Sequence, residues 1–190
     1  MVNKNLIGGW VLLMLALMIL VLPMQWVLAA VLAAMFHELC HYGAARLCGG
    51  NVARLRVGTF GAQMEVWGLT NLGELVCALA GPLGSLSLLL LAHWLPRTAV
   101  CAGFQGLYNL LPVYPFDGGR ALRCSAALLL PDKVGEKLCE GLECLCFVGL
   151  ALLGFYGTFL RGLGLLPLIL ATSSILRAKI PCKPGIFSVQ

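Results

Sequence analysis

The pentapeptide His37-Glu38-Leu39-Cys40-His41 lies inside the apolar run of residues 25–47. Charged and imidazole groups are costly at membrane depth, so they are read first as functional and as partnered within the protein. A helix satisfies the backbone of such a run within one segment. On a helix, His37 and His41 stand at i and i+4, so both imidazoles share a face and can grip one metal ion. Glu38 stands beside them, where a carboxylate can take a proton from a water activated by that ion.

Composition puts the motif in a membrane. Of 190 residues, 60% are hydrophobic and 11% charged, with mean hydropathy +0.93, whereas soluble domains carry about 25% charged residues. This length holds about six spans of about 20 residues. The expected fold is therefore an all-α membrane protein, with residues 1–190 as a single polytopic domain. The net charge of +5 is scattered over helix ends, so nucleic acid is not an expected partner. Nine Cys with no CxxC spacing read mostly as small buried apolar residues rather than as disulfides or extra ligands.

The expected spans are 6–22, 25–47, 73–95, 98–114, 142–160 and 163–176. The first follows Lys4 like a signal peptide, but no A-x-A site precedes Ala29 or Ala30, so it is read as a retained span. Segment 51–67, with Gly58, Gly61 and β-branched Val52, Val57, Thr59 and Val66, reads as a short hairpin or re-entrant β element at the interface. Small residues Ala80, Gly81, Gly84, Ser85 and Ser87 suit close helix packing in 73–95. Segment 118–141 reads as an amphipathic interfacial stretch. His93 beside Trp94 reads as interfacial packing, and Glu65 and Glu74 as interfacial acids.

Charge sets an orientation. With six spans both termini share a side, and that side collects Lys4, Arg46, Arg54, Arg56, Arg120, Arg123, Lys133, Lys137, Arg177, Lys179 and Lys183, leaving only Arg97 and Arg161 opposite. By the positive-inside rule both termini are cytoplasmic. Residues 25–47 and 98–114 then carry their polar motifs near the cytoplasmic end.

The second motif is Asn109-Leu110-Leu111-Pro112-Val113-Tyr114-Pro115-Phe116-Asp117-Gly118-Gly119-Arg120. Two His leave a catalytic tetrahedral zinc one protein ligand short, and Asp117 is the best remaining candidate. Pro112 and Pro115 unwind the helix end. Asn109 carries an amide able to hold a substrate carbonyl or stabilise an oxyanion. Arg120 and Arg123 anchor the interfacial stretch, with Arg120 also placed to brace Asp117.

With HELCH at 37–41, NLLPVYPFDGG at 109–119 and Ala80-Gly81-Pro82-Leu83 between them, residues 25–125 resemble the site-2 proteases, a family of intramembrane zinc metalloproteases. Within the family the chain is most similar to the six-span branch of stage IV sporulation protein FB, which cleaves a membrane-associated pro-sigma factor. Neither a PDZ domain nor the CBS domain that this branch often carries is expected within residues 1–190. The resemblance implies one Zn2+ per chain on His37, His41 and Asp117, with Glu38 as general base and acid. It also implies a membrane-tethered protein substrate held as an extended strand against 51–67. The implied partners include the lipid bilayer and regulatory membrane proteins. The implied location is a bacterial inner or cell membrane, or the forespore outer membrane for a sporulation-type enzyme.

Two other classes remain. A zinc-binding scaffold or inactive homologue that holds client proteins would be marked by loss of the Glu, and Glu38 is present. A transporter would show repeated halves and polar groups on several central spans, and neither is visible.

Overall fold

Pro23 interrupts the incoming helix, and its carbonyl accepts the first bonds of α1 (Met24–Leu47). The structure is a computed structural model and describes residues 19–58, 61–114, 116–160 and 187–189. α1 is stopped just past Cys48 by Gly49, which adopts φ +80°. Gly49 N–H bonds to the Arg46 carbonyl at 3.2 Å and Gly50 N–H to Ala45 at 2.8 Å, the paired bonds of a Schellman stop. This stop turns the chain directly into a hairpin.

Strands β1 (Asn51–Gly58) and β2 (Gly61–Trp67) pair antiparallel, from Asn51 opposite Trp67 to Gly58 opposite Gly61, with an irregularity between Val52 and Arg54. The expected β element is therefore a hairpin. It is also larger than expected, because β3 (Phe187–Val189) pairs with β2 at Met64–Val66 to give the order β1-β2-β3. Met64 and Val66 are buried against Ala45 of α1 and Cys77. One face of the sheet thus rests on the helical body.

Thr70 accepts from Gly73 N–H at 3.1 Å and caps α2 (Asn71–Ser87), which contains Pro82 and continues as a 3-10 turn over Leu88–Leu91. After α3 (Pro96–Asn109) comes the loop that leads into α4 (Asp117–Leu129). Pro131 then separates α4 from α5 (Asp132–Phe155), and a π-helical turn follows at Tyr156–Leu160.

α1, α2 and α3 pack on one another, α4 packs on α2, and α5 packs on α4. The contact faces are built from small side chains, including Ala33, Ala45, Ala78, Ala99 and Ala102, while Leu32, Leu83, Leu90, Leu107 and Leu152 face outward. That is the reverse of a soluble core. Lipid gives helices no hydrophobic reason to hide Leu, so close backbone approach through small residues decides which faces meet.

Three helices of the described residues are long and apolar enough to cross a membrane: Met24–Leu47, Asn71–Leu91 and Asp132–Thr158. The first two match expected spans. The expected span 98–114 is instead a 14-residue helix, at 1.5 Å per residue about 21 Å long and shorter than the ~30 Å apolar core of a bilayer. Segment 118–141 is not one interfacial stretch. It is α4 plus the start of α5, and the expected span 142–160 is a continuation of α5. Expected spans 6–22 and 163–176 lie outside the described residues, apart from the last few residues of the first.

Of the eight described cysteines all are free, and only Cys77 and Cys139 are buried. Most of the others are half-buried, whereas most were expected to be buried; none forms a disulfide among the described residues.

Candidate metal centre

Nε2 of His37, Nε2 of His41 and Oδ2 of Asp117 form a nearly equilateral triangle. The two imidazole nitrogens are 3.1 Å apart, and each is 3.2 Å from the carboxylate oxygen. Both His are fully buried and Asp117 is 1% exposed. The helical i, i+4 spacing stacks the imidazoles edge to face, with ring centroids 4.7 Å apart. Asp117 arrives from the start of α4, 76 residues after His41 in sequence.

α2 aims the rings. It runs antiparallel to α1, so the earlier residue Cys77 meets His41 and the later residue Ser85 meets His37. His41 Nδ1 lies 2.7 Å from the Cys77 carbonyl oxygen, and His37 Nδ1 lies 2.8 Å from Ser85 Oγ. A carbonyl only accepts, so His41 Nδ1 carries the proton and Nε2 presents a lone pair. Bare donors this close together and sealed from water need a proton or a cation between them.

Two imidazoles and a carboxylate around a tetrahedral zinc, with ligand bonds of about 2.0–2.2 Å, stand about 3.3 Å apart. The observed triangle is close to that spacing, and each His is gripped on its far nitrogen in the manner of metal-ligating His. The residues present therefore fit a divalent ion. Among the described residues, these three form the group of His, Cys, Asp and Glu side chains able to share one.

The loop between α3 and α4 brings the second motif into place. Asn109, the last residue of α3, points its amide at His37 Nε2 from 3.2 Å. The Phe116 ring is buried and meets Tyr108 at 4.8 Å, 71° from parallel. This aromatic contact ties the neighbour of Asn109 to the neighbour of Asp117. Gly118 and Gly119 let the first turn of α4 lie against the backbone of Leu110 and Val113, where any Cβ would strike carbonyl groups.

Glu38 is half-buried on α1 and within electrostatic reach of His41 and Asp117. Its Oε2, like Asp117 Oδ1, is enclosed and has no hydrogen-bond partner among the described residues. His37, His41, Asp117 and Asn109 are thus brought together by hydrogen-bond-length contacts, with Glu38 close enough to feel the charges of His41 and Asp117.

The other positions singled out in the sequence surround this cluster or lie apart from it. Arg120 is buried, at 7% exposure. Glu74 is half-buried and accepts from Cys124 Sγ at 3.7 Å. Burial and that carboxylate push the Cys124 thiol up to about 11, which makes it a poor nucleophile. His93 is exposed, with its ring 5.9 Å from that of Trp94.

Sequence reasoning passed over three partners. Ser85 counted only as a small packing residue, although a hydroxyl in an apolar span could have signalled a hydrogen bond. The Cys77 carbonyl leaves no sequence signal. Glu143 lies in an apolar run and was given no role.

Neither protein-family models nor the sequences of curated proteins match the chain. Among solved structures it is similar to "Site-2 Protease from Methanocaldococcus jannaschii", with TM-score 0.61 and 20% identity, covering 94% of this chain and 90% of that one. The two share a fold.

Proposed function

We propose that the chain is an intramembrane zinc metalloprotease. It hydrolyses a peptide bond in or near the membrane segment of a membrane-associated protein. The observation that carries this reading is the buried triangle of His37, His41 and Asp117, oriented by Cys77 and Ser85, with the half-buried Glu38, whose Oε2 is enclosed, on the same helix. The fold shared with a site-2 protease supports it.

Zinc, when bound, supplies a Lewis acid that polarises a carbonyl and makes water acidic near neutral pH. Glu38 takes the proton of the attacking water and returns it to the leaving amine. The Asn109 amide donates to the carbonyl oxygen as negative charge gathers there.

A helix hides its carbonyls in hydrogen bonds, so the substrate must be presented extended, and a sheet edge does this. β3 covers the outer edge of β2. Among the described residues the outer edge of β1 carries no strand, and this is where the substrate pairs. A membrane-associated pro-sigma factor is the substrate that the sequence resemblance suggests.

The test is purified protein in detergent with fluorogenic peptides drawn from membrane-tethered candidates, pro-sigma factors among them. Chelator-sensitive cleavage that zinc restores is the expected result. Stoichiometric zinc without cleavage of any candidate, whether in detergent or by co-expression, would favour a zinc-binding scaffold.

A further inference from the structure

Glu143 is a carboxylate within a helix apolar enough to span a bilayer, and it is only 14% exposed. Its Oε1 accepts three N–H groups: Tyr114 N–H at 3.3 Å, Arg123 Nε at 3.2 Å and Arg123 Nη2 at 2.9 Å. The Arg123 guanidinium also lies 4.7 Å from the centroid of the Tyr114 ring. Tyr114 is therefore held twice, by its backbone through Glu143 and by its ring through Arg123.

Tyr114 sits in the loop that joins Asn109 to Asp117. Within that loop Val113 N–H bonds to the Leu111 carbonyl at 2.7 Å and Phe116 N–H to Val113 at 2.9 Å. This short turn links Tyr114 to Phe116 and so to the adjoining Asp117. Apolar contacts would suffice to join α4 to α5. A carboxylate in this setting is costly, and what it adds is an acceptor shared by the Tyr114 N–H and the Arg123 guanidinium.

We infer that Glu143 and Arg123 are positioning residues: together they clamp the loop so that Asp117 and Asn109 converge on the histidine pair. The inference rests on the metal-centre reading above.

The test uses the full chain in detergent, with metal affinity measured by chelator competition and the ligand field by Co2+ absorption. Glu143→Leu should weaken metal binding about tenfold, the lower end for residues that orient metal ligands, and shift the Co2+ bands. It should lower kcat with KM unchanged. Glu143→Gln keeps an acceptor for Tyr114 and should fall between Glu143→Leu and the parent protein. Glu140→Gln, at an exposed acid on the same helix, should change nothing.

Where Glu143→Leu does not fold, Arg123→Lys at a 43% exposed position should show a smaller loss in the same direction. Parent-like affinity and Co2+ bands in a folded Glu143→Leu protein would overturn the clamp alone, as would a drop in melting temperature with metal affinity intact. Failure of the parent protein to bind any metal would overturn the metal centre and the clamp together.

Discussion

Gly81 of α2 and His41 of α1 share one volume: a Cβ on Gly81 would overlap the His41 ring, with Cδ2 only 2.6 Å away. The missing side chain lets the two helices close until the Cys77 carbonyl reaches His41 Nδ1.

Gly81→Ala should therefore weaken the metal centre. Replacing a mid-helix glycine normally stabilises by about 1 kcal/mol. Overpacking a filled contact costs about 1–3 kcal/mol, and here the clash falls on a proposed metal ligand. Metal affinity should drop about 10–100-fold. Isothermal titration with Zn2+ checks this, and unchanged affinity would show that His41 has room to move.

One zinc per chain should be found by metal analysis of the purified protein, and His41→Ala should remove it. The two remaining ligands do not make a three-ligand site. Full metal retention in that variant would reassign the ligands.

Glu38→Gln should retain the metal and lose ~10²–10⁴ in cleavage rate, because an amide of the same size cannot carry the proton. Zinc content and turnover are measured on the same preparation. Parent-level turnover would remove Glu38 from the chemistry.

Ser85→Ala should free His37 to rotate and lower zinc affinity about tenfold, with Ser85→Thr recovering part of the loss if the hydroxyl is what matters. Equal affinities in all three proteins would mean that packing alone holds His37.

Val57→Pro should reduce cleavage and leave zinc in place. Gly58 and Gly61 close the hairpin across a two-residue connection, so they form its hydrogen-bonded pair, and alternation turns the Val57 N–H outward. Proline there removes an edge donor and spares the β1–β2 ladder. Normal cleavage in this variant, together with no crosslink from position 57 to a substrate trapped on Glu38→Gln, would place substrate elsewhere.

The pairing of the two imidazoles was legible in the sequence because it is local. The i, i+4 spacing of His37 and His41 puts two imidazoles on one helical face in any context, and an apolar run forces that helix into lipid. Asp117 was legible by scarcity, since the chain's only other Asp, Asp132, lies in a charged stretch. The hairpin at 51–67 was legible from its glycines and β-branched residues. Tertiary structure decided what depends on residues far apart in sequence. It determined that α2 runs antiparallel to α1, so that a backbone carbonyl at Cys77 and a hydroxyl at Ser85 meet the two rings. It brought Phe187–Val189 onto the edge of β2, and it broke 118–141 at Pro131 into two helices. It also placed Glu143 under Tyr114. Those contacts arise from helix approach set by small residues such as Gly81 and Ala33, and no pattern within a single segment encodes which neighbour that approach will select.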